Sequence, residues 1–307
     1  MMWRKLLAIV LLWVITSGLT FGITVGPSLK PTRGARLNIN HPLTKGLVGY
    51  WPMNEGAGNI IRDISGHGRH GSCVNGPVWV SAPYGKALQF TASSDQYINL
   101  GYFPLNTNAI SFWCLYLSTA VATDQTLYGS FDAGSTASFV RIRGGQSRPQ
   151  FAYGDGATLD YLGNSSTWLP VADTYHSIAF AISGGSGTFW ADGILEDSDS
   201  DDNHNPVHPA AQDVWLAAYN NNGSVDDPLD GIMVAAALWN RALTPSEIQQ
   251  LYADPWCIIA RPSHEMMYAE AGGEPPATHP QVIIISSLPL VLIVGLAIAM
   301  SRSTMRE

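Results

Sequence analysis

The segment DISGHGRHG (63–71) concentrates residue types that carry chemistry. Its second part, GHGRHG (66–71), matches the G-x-G-x-x-G pattern of loops that bind a dinucleotide phosphate. Such a site requires a helix that begins directly after the glycines and points its N-terminus at the phosphates. The residues that follow, SCVNGPVW (72–79), are turn formers and β-branched residues, so no helix is expected there. The sequence therefore excludes a dinucleotide site.

Oxygen side chains near this segment suit a hard cation. Asn54, Glu55 and Asp63 lie within ten residues of one another, and calcium prefers carboxylate and loop carbonyl oxygens. Neighbouring glycines allow the backbone to approach such an ion closely. These residues predict a calcium site, and the alternative is that Asp63 forms a turn by bonding its own backbone. His67 and His70 have the H-x-x-H spacing of a metal pair, but a loop does not fix that spacing, so we expect exposed loop histidines.

Aromatic residues beside amides form a second candidate site. Tyr219 precedes Asn220, Asn221 and Asn222, and Tyr97 lies in another predicted strand. A sugar ring has an apolar C–H face and a polar rim, so its binding sites combine exposed aromatic faces with polar groups. Tyr219, Asn220, Asn221 and Tyr97 are therefore candidate ligand-binding residues, with ordinary turn chemistry of the asparagine run as the alternative.

Other motifs fail at a required position. DSDSDDNHN (197–205) lacks the glycine and glutamate of a calcium-binding EF-hand at positions six and twelve. HEMMY (264–268) has Tyr268 where H-E-x-x-H needs histidine. A glycosidase uses paired carboxylates, but most acidic residues here lie in predicted turns. We expect no catalytic site, and hence no enzyme.

Composition and patterning predict an all-β protein. Only 13% of the 307 residues are charged, 10% are aromatic, and 30 are glycine. Apolar residues alternate in SIAFAIS (177–183), which predicts a half-buried strand, and TFWADG (188–193) completes a hairpin. Further strand candidates are ALQF (87–90), QYINL (96–100), ISFWCLYL (110–117), FVRIR (139–143), DVWLAAY (213–219) and GIMVAAALW (231–239). No long helical segment separates them, which favours a sandwich.

One helix is predicted in RALTPSEIQQLYADP (241–255). Thr244 and Glu247 have the spacing of a capping box, and Pro245 occupies the first helical position. Leu243 and Ile248 are placed to form a hydrophobic staple. We expect a short structural helix that closes the sandwich.

The two ends differ from the middle. Residues 1–22 combine a basic start with an apolar run, which is typical of a signal peptide or an N-terminal anchor. Residues 282–300 contain nineteen residues without a charge, enough for a transmembrane helix. A tail and Gly/Pro stalk (257–281) precedes this helix, and a short cytosolic tail (301–307) follows it. We expect a single-pass membrane protein whose domain at 40–256 is exported.

The chain has three cysteines, which is an odd number. One disulfide with one remaining thiol, or three free thiols, are the alternatives.

Four segments in the order seen here resemble the laminin-G-like, concanavalin A-like domain family in its bacterial and viral form. They are GLVGYWPMNEGAGNIIRDISGHGRHGS (46–72), YGKALQFTASSDQYINLG (84–101), TYHSIAFAISGGSGTFWADG (174–193) and LDGIMVAAALWNRALTPSEIQQLYADP (229–255). The resemblance covers about residues 40–256. It implies a jelly-roll sandwich of two antiparallel sheets, all-β apart from the short helix, and binding of carbohydrate or protein surfaces, often with one structural calcium.

The resemblance also implies a partner for Asp63. In that family the loop of Asp63 lies beside an aspartate before the last long strand, and this aspartate matches Asp230. Asp63, Asp230, Asn54 and Glu55 are therefore the expected calcium ligands, although Asn54 stands where an acidic residue is frequent in the family.

These observations predict a recognition or adhesion module on a cell or virion surface, with carbohydrate or a surface protein as its partner. A self-associating component of a surface layer or virion is the alternative, and a glycan-processing enzyme is the third hypothesis. The formal net charge of −8 argues against nucleic acid, because its phosphates would be repelled.

The calcium prediction has a direct test. If calcium stabilises the domain, a chelator will lower its melting temperature, because a bound ligand shifts the folding equilibrium towards the native state. The Asp63→Ala variant will lose that sensitivity. Equal melting temperatures of the wild type with and without chelator would refute the prediction.

Overall fold

A computed structural model gives the structure of residues 30–105, 109–132, 136–144, 148–154, 159–163, 166–200 and 212–260. The predicted N-terminal segment (1–22) and the predicted membrane helix (282–300) lie outside these described residues, and both stay predictions. Within the described part of the chain, no helix is sufficiently long and apolar to span a membrane.

The described residues form two stacked β-sheets. In chain order the strands are β1 (Leu47–Trp51), β2 (Ile60–Ile61), β3 (Gly71–Val74), β4 (Val78–Ala82), β5 (Gly85–Phe90), β6 (Tyr97–Asn99), β7 (Ala109–Ser118), β8 (Gln125–Asp132), β9 (Thr136–Arg143), β10 (Arg148–Gly154), β11 (Leu159–Leu162), β12 (Tyr175–Ser183), β13 (Ser186–Ala191), β14 (Ile194–Asp199), β15 (Trp215–Leu216), β16 (Tyr219–Asn221), β17 (Ser224–Asp226) and β18 (Gly231–Trp239). Helix α1 spans Pro245–Ala253, and two 3-10 helices span Pro42–Thr44 and Ala92–Ser94.

Each sheet has a continuous strand order. The eight-stranded sheet runs β14-β13-β12-β7-β18-β5-β4, with β1 also paired to β18. The ten-stranded sheet runs β11-β10-β9-β8-β15-β6-β3-β2, with β16 paired to both β8 and β17. The pairs are antiparallel except for the short β16–β8 pair, which is parallel. The predicted two-sheet antiparallel sandwich is thus confirmed.

The main core lies between the sheets because side chains alternate between the two faces of a strand. Phe112 and Phe180 of the eight-stranded sheet meet Val140 and Phe151 of the ten-stranded sheet in this core. Each of these four side chains is at most 1% exposed. Burial of this apolar surface, at about 25 cal/mol per Å², is the main force that holds the sheets together.

Further apolar residues cover the outer face of the eight-stranded sheet. Trp113 and Trp239 of this sheet pack with Ile248 and Leu251 of α1 and with Trp256 beyond it. Residues outside the predicted domain bounds of 40–256 join this layer, since residues 37 and 259 form a β-bridge. No disulfide joins any of the three cysteines.

Helix α1 has the predicted capping box. The Thr244 hydroxyl accepts a bond from the Glu247 N–H, and the Glu247 carboxylate accepts one from the Thr244 N–H. Arg241 forms an ion pair of 2.7 Å with Glu247. Leu243 and Ile248 are both buried, as the staple requires. The prediction succeeds because all of these contacts are local in the chain.

The predicted strand DVWLAAY (213–219) is divided in two. Ala217 adopts a positive φ of 66°, a left-handed conformation that a regular strand does not tolerate. The break separates β15 from β16 and lets β16 pair with β8 in the parallel direction. Tyr219 therefore starts a new strand.

Lys30 fills a gap at one edge of β18. Strand β1 pairs with residues 236–239 of β18 and β5 with residues 231–233, so the Val234 carbonyl lies between them. The Lys30 ammonium donates hydrogen bonds to the carbonyls of Val234 (2.7 Å), Met53 (3.1 Å) and Lys86. Burial lowers the pKa of Lys30 to about 7, and the negative charge of Glu55 partly opposes this shift.

This arrangement predicts that Lys30→Met destabilises the domain. Methionine preserves the apolar stem but leaves three carbonyls without a donor, and an unsatisfied buried polar group costs about 1 to 3 kcal/mol. We expect a melting temperature lower by about 2 to 12 °C at pH 7. Lys45→Met is the matched control, because Lys45 is exposed. Equal melting temperatures for the two variants would contradict this role of Lys30.

Candidate functional site

The outer face of the ten-stranded sheet carries a row of residues that lie directly opposite one another on seven strands. The row comprises Ser72, Asn99, Trp215, Gly129, Phe139, Ala152 and Tyr161. Residues adjacent to the row, such as Ile98 and Val140, point inward to the main core. Phe139 and Ala152 instead belong to a separate apolar cluster with the half-buried Phe131, Tyr161 and Tyr219. This face therefore presents partly exposed aromatic rings.

Two rings of this cluster stack on each other. The ring centroids of Tyr219 and Phe139 are 5.2 Å apart with an interplanar angle of 13°. Phe131 meets both rings edge-on, at 6.3 Å from Tyr219 and 6.5 Å from Phe139. We call the group of Tyr219, Phe139 and Phe131 the aromatic platform.

Gly129 makes the aromatic platform possible. It lies on β8, between the strands that carry Tyr219 and Phe139. A Cβ atom at Gly129 would lie 2.3 Å from the Phe139 Cβ and 3.0 Å from the Tyr219 Cβ. Any side chain here would separate the two rings, so the platform depends on glycine at this position.

Charged residues border the platform. The Arg141 guanidinium lies 5.3 Å from the Phe139 ring centroid, in cation–π geometry. Its Nε donates a hydrogen bond of 3.0 Å to the Gln150 side chain. Its Nη1 lies 3.6 Å from both the Asp124 and the Asp227 carboxylates. The arginine is thus held in place from three sides.

A third carboxylate, Asp226, joins this border. Its Oδ2 accepts hydrogen bonds from the Tyr219 hydroxyl at 2.8 Å and from the Asn221 amide at 3.1 Å. Burial raises the pKa of the Tyr219 hydroxyl, and the hydrogen bond to Asp226 adds to this shift. Burial also raises the pKa of Asp227 to about 6, helped by the negative charges of Asp226 and Asp124 and opposed by Arg141. Carboxylates with raised pKa values frequently mark functional sites.

A second stack lies on the same face. The ring of Tyr97 lies 3.9 Å from that of Trp215, with an interplanar angle of 23°. The nearby Asn99 amide donates a hydrogen bond to Asp213. The outer face therefore combines two aromatic stacks with amide and carboxylate groups.

The structure places the predicted ligand-binding residues as follows. Tyr219 belongs to the platform, and Asn221 borders it through Asp226. Tyr97 lies in the second stack. Asn220 is 3% exposed and bonds the Asp213 carbonyl and the Gly223 N–H, which is the turn chemistry kept as the alternative.

The other members of the site were not predicted from the sequence. Phe139 and Arg141 occur in the predicted strand FVRIR (139–143), whose alternation already places them on one face. Nothing local indicates that Phe139 meets Tyr219 across Gly129, because Phe139 and Tyr219 are 80 positions apart in the sequence. The only indication in the sequence for Asp226 and Asp227 is that these adjacent carboxylates lie close to the asparagine run.

Asp63 has a different environment from the one expected of a calcium ligand. Its buried carboxylate accepts four hydrogen bonds, from the Tyr50 and Arg69 N–H groups and from both the N–H and the hydroxyl of Ser65. The Ser65 N–H bond is the turn chemistry kept as the alternative. His70 contributes by accepting a bond from the Asp63 N–H. Strand β3 follows the glycines, so no helix begins there.

Asp63 and Asp230 are not brought together. Asp63 bonds Tyr50, which lies opposite Ala237 on β18. Asp230 precedes the other end of β18, seven residues away, or about 23 Å along an extended strand. Asp230 itself bonds Gln125 and Thr119 through its backbone. The two aspartates therefore lie at opposite ends of the strand.

Asn54 and Glu55 also have structural partners. The Asn54 amide donates to the carbonyls of Pro31 and Thr32, and the Glu55 carboxylate accepts from the Arg62 N–H. Among the described residues, no three His, Cys, Asp or Glu side chains are grouped as a metal site would require. Calcium binding stays a prediction.

The raised pKa of Asp227 predicts a pH-dependent effect of Asp227→Asn. Between about pH 4 and pH 6 the folded carboxyl retains a proton that the unfolded one releases, so the wild type loses stability as the pH rises. The variant does not titrate there, and we expect it to melt about 2 to 4 °C above the wild type at pH 8 but not at pH 4.

Thermal melts from pH 4 to pH 8 provide the measurement. Asp95→Asn is the control, because Asp95 is exposed and asparagine tolerates its positive φ of 49°. A pH-independent difference between Asp227→Asn and the wild type would contradict the assigned burial and charge environment.

Comparison with known proteins agrees with this fold. Residues 92–249 match the family model of the concanavalin A-like lectin/glucanases superfamily. No curated protein matches the chain in sequence. Domain 4 of an extracellular arabinanase from Geobacillus stearothermophilus, solved in complex with arabinotriose, superposes with a TM-score of 0.54 and 15% identity. The superposition covers 67% of this chain and 98% of that domain.

Two toxin structures are also similar in fold. The binding domain of Paraclostridial Mosquitocidal Protein 1 has a TM-score of 0.52 and 14% identity, covering 68% of this chain and 52% of that one. Botulinum neurotoxin type C, whose cell entry is described as dependent on two ganglioside molecules, has a TM-score of 0.53 and 8% identity. It covers 68% of this chain and 51% of that one, so this chain spans about half of each toxin chain. The matched family model extends over more than half of the sequence, and the chain belongs to the concanavalin A-like lectin/glucanase superfamily.

Proposed function

We propose that this protein is a carbohydrate-recognition module that binds its ligand on the outer face of the ten-stranded sheet. The observation that carries the proposal is the aromatic platform with its border of Arg141, Asp124, Asp226 and Asp227. An aromatic face accommodates the apolar side of a sugar ring, and the carboxylates accept hydrogen bonds from its hydroxyls. Binding without catalysis is proposed, because Arg141 and Tyr219 hold the carboxylates in fixed contacts.

The comparisons support carbohydrate as the ligand class. The arabinanase domain was solved with arabinotriose, and the botulinum neurotoxin is described as dependent on gangliosides. Both are distant in sequence, so they support the class and not the identity of the sugar. The predicted termini would place the module on a cell or virion surface, held by a single membrane helix.

The platform predicts the effect of Tyr219→Ala. Loss of the ring exposes Phe139 and removes the stacking face, so we expect glycan affinity to fall at least about tenfold. Tyr219→Phe keeps the ring and will retain most of the affinity. A glycan array followed by titration of the best ligand measures both effects.

Tyr252→Ala is the matched control for this experiment. Tyr252 is 49% exposed and lies on α1, which packs on the other sheet, so its loss will not change glycan binding. An array without any bound glycan, both with and without calcium, would refute the proposal. Equal losses in Tyr219→Ala and Tyr252→Ala would move the site away from the platform.

Glycan processing is the second candidate function, and the raised pKa of Asp227 favours it. A glycosidase needs one carboxylic acid with a raised pKa and a second carboxylate nearby, and Asp124 and Asp226 lie near enough to Asp227 for their charges to add to its shift. Turnover of a polysaccharide that disappears in Asp227→Asn would establish this activity. Binding without turnover would leave recognition as the function.

A further inference from the structure

A cavity of about 190 Å³ lies on the outer side of the eight-stranded sheet. It is remote from the aromatic platform, which belongs to the other sheet. Its walls come from the β4–β5 turn, β7, the start of β12, the β13–β14 turn, and α1 with the residues that follow it. Its lining includes Tyr84, Tyr175, Tyr252, Thr174, His176 and Asp192.

The β13–β14 turn fixes Asp192 at this cavity. Asp192 and Gly193 have positive φ values of 48° and 78°, as the two central residues of a type I′ hairpin turn require. A Cβ atom at Gly193 would lie 2.6 Å from the Tyr252 ring. The glycine thus serves the turn and also lets Tyr252 pack closely against it.

The Asp192 carboxylate is oriented by two donors. Its Oδ1 accepts a bond of 2.9 Å from the Ser177 N–H, and its Oδ2 lies 2.8 Å from the His176 Nδ1. The His176 Nε2 accepts a bond from the Val171 N–H, so this nitrogen carries no proton and Nδ1 is the donor. His176 thus acts as a hydrogen-bond donor that orients the Asp192 carboxylate towards the cavity wall.

Three tyrosines complete the lining. The rings of Tyr84 and Tyr175 meet edge-on, with centroids 5.6 Å apart. Burial raises the pKa of Tyr84, and both Tyr252 and Asp192 add to this shift, as expected for groups that face one another. Tyr252 is 49% exposed and forms an open rim. No lysine or arginine is among the residues that line the cavity.

We propose that this cavity binds an organic ammonium group, such as a quaternary or methylated amine. Aromatic faces attract cations through the ring quadrupole, and clustered rings are the known arrangement for recognising quaternary ammonium. A carboxylate held at the wall adds Coulomb attraction in a partly desolvated place. A phosphate or another anion would meet the Asp192 charge unfavourably. The proposal is independent of carbohydrate binding on the other sheet.

The test compares choline with 3,3-dimethyl-1-butanol, its neutral isostere. Both have the same shape, so any preference measures the positive charge. We expect choline to bind at least about fivefold more tightly in an NMR titration. Nε-trimethyl-lysine in a short peptide is the third probe, and it represents a side chain of a partner protein.

Two variants locate the binding. Asp192→Asn preserves the turn, because asparagine suits type I′ positions, and its single side-chain carbonyl can still accept a bond from either His176 or Ser177. It will weaken choline binding at least about fivefold, and Tyr252→Ala will do the same. Glu196→Gln is the control, since it removes one charge from β14 without touching the cavity lining. Melting temperatures verify that each variant is folded.

Each outcome decides the proposal. Choline binding that Asp192→Asn weakens and Glu196→Gln does not would support a free ammonium ligand. Binding of the trimethyl-lysine peptide alone, with the same variant pattern, would support a partner side chain as the source. Equal binding of choline and its neutral isostere would overturn the proposal, and so would the absence of binding by all three probes.

Discussion

A missing side chain at Gly129 is the constraint on which the aromatic platform depends. Tyr219 and Phe139 stand on opposite sides of β8, and their rings meet only because the strand between them carries no Cβ at this point. The break at Ala217 also contributes to the aromatic platform, because β15 stops there and the strand that carries Tyr219 begins after it. Backbone geometry, more than any single contact, builds this face.

The two outer faces of the sandwich differ in how far they are covered by other parts of the chain. On the eight-stranded sheet, α1 and both ends of the described chain bury a second apolar layer, and Lys30 closes the gap at the edge of β18. On the ten-stranded sheet, a smaller apolar cluster combines the buried Phe139 with the half-buried rings of Phe131 and Tyr219, beside charged groups. The covered face stabilises the domain, and the exposed face is the one we assign to ligand binding.

The sequence predicted the local features well. Candidate segments in the sequence matched β5, β6, β7, β9, β12, β13 and β18, and the spacing of Thr244 and Glu247 predicted the cap of α1, because these signals act within a few residues. Nine of the described strands, among them β1, β8 and β10, were not predicted. The candidate site was predicted only in part. Tyr219 was identified from its neighbours, but its contact with Phe139 depends on strand order, which no local pattern records. Asp63 was predicted to bind calcium, but in the structure its carboxylate accepts hydrogen bonds from the nearby Ser65 and Arg69.

Chemical-shift mapping with the best glycan from an array would locate the carbohydrate site on the domain. If carbohydrate binds on the outer face of the ten-stranded sheet, the largest shifts will occur at Gly129, Phe139, Arg141 and Tyr219. Shifts confined to the loop at 63–71, or to the cavity around Asp192, would refute binding on this face.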